Sequence, residues 1–431
     1  MHILQKLYSI LLKQHIGKIN KPVVKLGDRI EKGTLIAIPE GMGANIHASV
    51  SGIIKNIDEN EIIIEADEVQ KDEFKPLESS NNILDLIQEA GIVGMGGAGF
   101  PTHIKMDVDL NGGVVIANAV ECEPLLAHNI NQIVNEPELI YKGLCYAMEA
   151  VNASKGIFAI KSKNVEAISS LKNIIKDSNI KIVELSDMYP MGEERAIIRE
   201  VLGKLLGTSQ LPLEANAVVS NVETLAKIAE AVELKKPVIS KNITVVGKLK
   251  NGLKSQVFMN VPIGTTVREI IEAAGGIDGE YGEIILGGPF TGRSAQIDEP
   301  ITKTSGGIIV TIPFLKETRN MGLLVCACGG NENRLREIAT NMGANVVGVE
   351  KCKQAVEIKG NLKCEDPGNC PGQAEKILKL KKSGAEVVLI SNCSDCTNTV
   401  MCVAPKLKMP VYHLTDHVMR TVNHPLIRRL K

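Results

Sequence analysis

The chain has 431 residues, 44% of them hydrophobic and 23% charged; at about 100–200 residues per domain this predicts two to four domains of ordinary globular composition. Lys plus Arg number 49 against 50 Asp plus Glu, a net charge of −1, which argues against a nucleic-acid binder, because displacing counterions from phosphate needs a basic excess. No apolar run approaches the roughly 18–20 residues of a membrane span, and Met1 to Asn20 lacks the basic start, apolar core and small-residue site of a secretory leader, so the expected compartment is the cytoplasm.

In chain order, four parts are expected, an α/β and β multi-domain protein. Residues 1–75 read as short strands and turns, with Thr34 to Ile38, His47 to Ile54 and Glu61 to Glu65 extended between glycine turns. This pattern resembles the barrel-sandwich hybrid of biotinyl and lipoyl domains. Its tip region, His47 to Gly52, carries no Lys to modify, which favours a structural or docking role over a swinging arm. Residues 76–235 open on a polar linker and a short helix from Asn82 to Ala90. Apolar strands Gly113 to Asn118, Gly156 to Lys161 and Lys181 to Leu185 then alternate with helices Glu136 to Asn152 and Asn164 to Asp177. Continuous apolar strands suit a sheet covered on both faces. Residues 236–318 return to short strands around one helix, Thr266 to Ala274, a β-grasp pattern. Residues 319–431 resume α/β alternation, with strands Gly322 to Cys326, Asn345 to Val349 and Glu386 to Ile390 and helices Asn331 to Asn341 and Gly372 to Ser383.

Gly94-Met-Gly-Gly-Ala-Gly-Phe-Pro-Thr102 is the most informative segment. Four glycines in six positions clear side chains from where something large approaches the backbone. Bare N–H groups in such a loop form an anion-binding concavity, and Lys105 adds a positive charge nearby. No clear strand precedes it, so it is not a dinucleotide fingerprint. Three acidic segments follow: Asn118-Ala-Val-Glu-Cys-Glu-Pro124, Tyr189-Pro-Met-Gly-Glu-Glu194 and Ser220-Asn-Val-Glu-Thr224.

These four segments, in this order, resemble those of the NADH-dehydrogenase flavoprotein family, which includes the flavin subunit of respiratory complex I and the RnfC subunit of Rnf complexes. RnfC also has the N-terminal barrel-sandwich element, so RnfC-like proteins are the nearer in architecture. The resemblance implies an FMN/NADH-binding α/β domain and, after it, a β-grasp domain of the SLBB kind. It places the FMN phosphate and ribityl chain at Gly94, Gly96, Gly97 and Lys105, with Asn118 and Glu121 bonding flavin or ribityl oxygens. Tyr189, Gly192, Glu193 and Glu194 would flank the isoalloxazine and nicotinamide. Asn221 and Thr224 would meet the phosphate end, Asn221 also suiting a helix cap, and Phe100 would stack on the adenine of NADH. The implied activity is that of an NADH-dependent oxidoreductase accepting hydride onto FMN.

The chain has 10 cysteines, which in a cytoplasmic protein suggests thiol chemistry or metal rather than a disulfide scaffold. All but Cys122 and Cys145 lie from Cys326 onward. The ferredoxin run C-x2-C-x2-C-x3-C-P of RnfC is absent. Cys326-Ala-Cys328 and Cys393-Ser-Asp-Cys396 instead stand after strands, where helix N-termini lower thiol pKa. Redox-active dithiols are the favoured reading; a four-thiolate zinc site from those cysteines and an iron–sulfur cluster of unusual spacing stay open. Cys145 and Cys352, in apolar surroundings, are expected to be inert buried thiols. An RnfC-like flavoprotein with a dithiol domain is similar to the PrdC family of electron-transfer proteins associated with D-proline reductase. That resemblance implies a path from NADH through FMN and the C-terminal thiols to D-proline reductase or another terminal reductase. The alternatives are a non-enzymatic scaffold with structural zinc and an Rnf-type transport subunit. His413 and His417, four apart, are expected to be a polar surface pair.

Overall fold

The computed structural model describes residues 6–327, 329–358, 360–367, 369–391 and 399–424. Near the N-terminus an antiparallel four-stranded sheet (Leu7–Leu11, Glu61–Ala66, Gly52–Ile57, Arg29–Ile30) packs on a three-stranded one (Asn20–Pro22, Leu35–Pro39, Ile46–His47). Alternation decides what each strand buries. In Glu61–Ala66, Ile62 and Ile64 are fully buried beside Tyr8, Ile10 and Ile54, while the flanking glutamates stay outside. The tip where a carrier domain would hold its lysine is packed down: Val50 is buried and the Ser49 hydroxyl donates to the Ile263 carbonyl at 2.6 Å.

The next unit is a four-stranded, all-parallel sheet in the order Ile180–Leu185, Lys155–Lys161, Val114–Ala119, Ala217–Asn221. Val115, Ile116, Ala117, Phe158 and Ile160 are buried, as strands covered on both faces require. Helices Pro137–Ala150 and Val222–Leu234 cover one face and pack closely on each other. The strand Ala217–Asn221 was not expected from the sequence.

Residues 240–310 form a mixed five-stranded sheet, in the order Gln256–Pro262, Ser240–Gly247, Gly307–Val310, Ile284–Leu286, Arg293–Ala295. The helix Val267–Ala273, capped by Thr266, packs Val267, Ile270 and Ile271 into its core. The last unit is a second all-parallel sheet, ordered Asn345–Lys351, Asn320–Val325, Val387–Ile390, Val411–His413, with a hairpin of Ala355–Ile358 and Asn361–Cys364 beside it.

Buried charges tie the units together. The Lys303 ammonium, pushed down to about 7 by burial, bonds the carbonyls of Asn45 and Gly91. Glu283 bonds Arg334 and, at 2.7 Å, His417 Nε2. His417 is half-buried and stacks on Phe314, and His413 is 2% exposed. The two histidines are therefore not a surface pair; His413 ends the buried edge of the strand Val411–His413 and His417 faces Glu283 from the helix Asp416–Thr421.

Candidate functional site

The glycine loop is closed at its base by a bridge between Val93 and Pro101 and by the Gly94 N–H donating to the Phe100 carbonyl at 2.9 Å. It is pinned from below. The buried Thr224 hydroxyl accepts from the Met95 N–H at 3.0 Å and donates to the Val93 carbonyl at 3.3 Å. Asn221 caps the helix Val222–Leu234 through the Glu223 N–H. Gly96 lies directly on that cap: a Cβ there would sit 2.5 Å from Asn221 Nδ2. Gly97 faces open space instead.

In front of the loop runs a cleft of about 390 Å³ walled by Gly96, Asn118, Glu121, Tyr189, Gly192 and Asn221, among others. It continues into a space of about 510 Å³ along Gly97, Ala98 and Leu286 to Gly288. Together these suit a small-molecule site of roughly 300–1,000 Å³. The cleft sits at the C-terminal edge of the first parallel sheet, the usual ligand edge of α/β folds. Three units contribute to it, since Thr291 of the mixed sheet and Ala327, Leu362, Cys364 and Pro367 of the C-terminal unit also line it.

The acidic segments are shaped by local hydrogen bonding. Asn118 donates to the Gly192 carbonyl at 3.0 Å and accepts from the Val120 N–H. Glu121 accepts from Asn129 at 2.8 Å and from the Glu123 N–H at 3.1 Å. Its carboxyl is ringed by protein although the cleft reaches it, and burial pushes it up to about 7 despite those bonds. Burial raises Cys122 to about 12, which marks an inert thiol. Glu123 accepts from the N–H groups of Phe290 and Thr291 at 2.8 and 2.9 Å, so it fastens the mixed sheet to this edge. The Phe290 ring stacks on Tyr189 with centroids 3.7 Å apart.

Glu193 is the cap of the helix Glu194–Leu202, accepting from the N–H groups of Arg195 and Ala196 and from Arg195 Nε at 2.8 Å. Sequence reasoning missed Arg195, the residue next to the second acidic pair. It lines the cleft, is 8% exposed, and its Nη1 finds no hydrogen-bond partner among the described residues. Asn129 Oδ1 is likewise buried and unpartnered in the same cleft. Buried polar atoms left open in this way point to a ligand that completes them. A cationic donor, a bare glycine backbone and a ring-lined wall fit FMN, which carries a phosphate, a polyol chain and a planar ring.

Several expected residues stand elsewhere. Lys105 Nζ bonds Glu194 Oε1 at 2.6 Å, and neither residue lines the cleft, because Thr102–Met106 and Glu194–Leu202 turn these side chains toward each other outside it. Phe100 is 36% exposed beyond the cleft wall. Gly94 and Thr224 hold the loop's base rather than its face. Of the four expected redox cysteines, Cys328, Cys393 and Cys396 lie outside the described residues, and Cys326 is buried at the end of Asn320–Val325. Among the described residues no group of three or more His, Cys, Asp or Glu is placed to hold a metal.

Cys352 packs on an apolar cluster as expected but also has polar neighbours. It is half-buried, its Sγ accepts from Gln373 Nε2 at 2.9 Å, and the adjacent Cys326 thiol and these donors bring it down to about 6. Cys364 lines the cleft, and burial pushes its thiol up.

Residues 87–230 match the Nuo51 FMN-binding domain, and residues 2–71 match the RnfC barrel sandwich hybrid domain. The chain is 35% identical over 322 residues to a subunit of the proton-translocating ferredoxin:NAD(+) oxidoreductase complex of Clostridium ljungdahlii, covering 70% of this chain and 69% of that one. It is 32% identical to the counterpart in the Na(+)-translocating complex of Acetobacterium woodii, covering 70% and 72%. The cobalamin reductase PduS of Salmonella typhimurium is 36% identical over 233 residues, 54% of this chain and 50% of that one.

Proposed function

The chain belongs to the RnfC-like family of electron-transfer proteins, and from that premise we propose that it oxidises NADH at FMN and delivers the electrons to a protein partner. The observation that carries this is the cleft in front of the glycine loop, within the residues that match the Nuo51 FMN-binding domain. When bound, FMN supplies a two-electron acceptor for NADH and a donor for the outgoing electrons.

Arg195, which lines the cleft and whose Nη1 finds no partner among the described residues, would hold the phosphate or a ring oxygen. Gly97 leaves main chain that no side chain covers for a cofactor to approach, while Gly96, packed on the Asn221 side chain, seats the loop on its cap. Asn118 and Gly192 hold each other, so the wall beside the ring is rigid before anything binds. Glu121, with its carboxyl near neutrality, donates or accepts a hydrogen bond as the cofactor requires. Glu193 acts by capping its helix and aligning Arg195, a positioning role rather than direct chemistry. Lys105 and Glu194 brace the helices behind that wall.

For the exit, Cys364 lines the same cleft together with Ala327 and Gly329. The Cys364 thiol there, with no ferredoxin run in the sequence, supports a partner that takes two electrons at once. A terminal reductase of the D-proline reductase kind in the cytoplasm fits this reading. An Rnf-type subunit is the second reading, favoured by the identity, over about 70% of the chain, to members of two ion-translocating ferredoxin:NAD(+) oxidoreductase complexes. No helix among the described residues is long and apolar enough to cross a membrane.

The test is an anaerobic titration of the purified, FMN-loaded chain with NADH, following flavin absorbance. Bleaching at about one NADH per flavin, two electrons each way, is expected. Protein that takes up no FMN, or whose flavin stays oxidised with NADH, overturns the reading.

A further inference from the structure

The second parallel sheet brings together two cysteines that the sequence separates and that carry no shared motif. Val325 is the register partner of Lys351, and the Cys352 N–H donates to the Val325 carbonyl at 2.8 Å, extending the ladder one residue. Cys326 and Cys352 therefore stand side by side at the C-terminal edge. Neighbouring strands lie about 4.8 Å apart, inside the roughly 4.4–6.8 Å between Cα atoms that a disulfide spans. Both side chains point to the same face, into one apolar cluster with Ile377, Leu380, Val388 and Ile390.

The two cysteines are unequal. Cys326 is 5% exposed, whereas Cys352 is half-buried and open on one side. Cys352 faces the start of the helix Ala374–Lys382, whose cap residue Gln373 is 1% exposed and donates to its Sγ. Gln373 Oε1 has no partner among the described residues, so the bond to sulfur is what the protein atoms give this buried amide. Lys376, one turn on, bonds Glu350 at 2.9 Å and adds positive charge near the sulfur. A helix N-terminus, an amide donor and a cation are the surroundings of an attacking thiolate.

We propose that Cys326 and Cys352 form the reversible dithiol of the C-terminal unit, with Cys352 the attacking and Cys326 the resolving thiol toward a disulfide substrate. The Cys352 thiolate attacks one sulfur of the substrate disulfide. The other substrate sulfur leaves as a thiolate and takes a proton from solvent, leaving a mixed disulfide on Cys352. Cys326 then gives up its proton and attacks Cys352 Sγ, releasing the second substrate thiol. The net change is two protein thiols oxidised to one disulfide and one substrate disulfide reduced to two thiols. This deepens the electron-exit half of the function above. Its test uses neither NADH nor flavin turnover, so the two readings fail separately.

The experiment is residue-resolved alkylation of the full, reduced chain with iodoacetamide, followed by diamide oxidation and peptide mapping. At pH 6 Cys352 is expected to react at least about tenfold faster than Cys122 or Cys145, which stay protonated there. Diamide is expected to link Cys326 to Cys352, and the link to survive Cys328→Ser and vanish in Cys326→Ser. Gln373→Leu is expected to slow Cys352 severalfold at pH 6 and little at pH 9, with FMN content unchanged as evidence of folding. Cys352 reacting no faster than Cys122, Cys326 linked to Cys328, Cys393 or Cys396 instead, or stoichiometric zinc protecting these thiols would each overturn the proposal.

Discussion

The two parallel sheets share an architecture and differ in what stands at their C-terminal edges. Each has four strands, an apolar centre and helices across its faces. At the end of Val114–Ala119 the first carries Asn118, Glu121 and Glu123, and at the end of Ala217–Asn221 it carries Asn221. At the corresponding edge the second carries Cys326 and Cys352. Both edges wall one cleft, since Gly96 and Asn118 line it from one side and Ala327, Gly329 and Cys364 from the other. The strands set direction and spacing alike in both, and the few residues past each strand end decide the chemistry. One edge presents hydrogen-bonding groups to the cleft; the other carries two neighbouring thiols.

The largest effect that separates the two edges is expected at the latch holding the second sheet in place. Glu283→Gln leaves the buried Arg334 with Glu337 alone and His417 without its carboxylate, and removing one partner of a buried pair costs about 3–5 kcal/mol. Calorimetry should show the C-terminal unit melting earlier while FMN stays bound; an unchanged thermogram would sink the latch. The pH dependence follows from the same group. Against the upward push of burial, hydrogen bonds from His417 and Arg334 and the Arg334 charge hold the Glu283 carboxyl down to about 2. Wild-type stability from this group is therefore fully present above about pH 4.5 and is lost as pH falls toward 2. The gap between wild type and variant should close over that window.

The flavin edge is expected to fail next, through its backbone. Gly96→Val drives a side chain into the Asn221 cap and should weaken FMN binding about ten- to hundredfold, roughly 1.4–2.7 kcal/mol, with circular dichroism unchanged. At Gly97 an added Cβ meets no protein atom within 4 Å, so Gly97→Val is expected to leave the protein undisturbed. Flavin loss in that variant would place the cofactor at this face, and full retention would move it elsewhere.

Thr224→Val is expected to act more mildly, because it strands the Met95 N–H beneath the loop. About 1–2 kcal/mol of stability should be lost in denaturant melts, with a matching rise in the FMN dissociation constant. Equal FMN affinity would show that the loop holds its shape without this pin.

The smallest effect is expected at Glu121. Burial raises its carboxyl to about 7, so the folded state holds the proton more tightly than the unfolded chain, and stability falls as pH rises from about 4.5 to 7. Above that range the carboxylate faces an anionic cofactor. Wild-type FMN affinity should drop about two- to threefold from pH 6 to pH 8, and Glu121→Gln should be flat. A variant as pH-sensitive as wild type would assign the titration to another group.

Much of this protein was legible in the sequence, and the reason is locality. Period-2 and continuous apolar runs fixed the strands Glu61–Ala66, Val114–Ala119 and Lys155–Lys161, because what a strand buries depends on neighbours within the segment. Asn82, Thr266 and Asn331 cap helices where their short polar side chains suggest it. The glycine loop and the acidic segments marked the edge where the cleft lies in the same way. The strand Ala217–Asn221 was hidden because its five residues run straight into a helix cap, and the hairpin Ala355–Cys364 because its sequence alternates weakly.

Only the tertiary structure decided which residues face the cleft. Phe100, Lys105 and Glu194 belong to the right segments yet stand outside it, while Arg195 stands inside with an open donor. The same holds for the thiols: motif spacing leaves open which cysteines pair, whereas the sheet register sets Cys326 beside Cys352. Glu123 reaches Thr291 and Glu283 reaches His417 across more than a hundred residues of chain. Periodicity and sterics are written into each segment, but a side chain's partners across such distances depend on how whole sheets dock, which no single segment encodes.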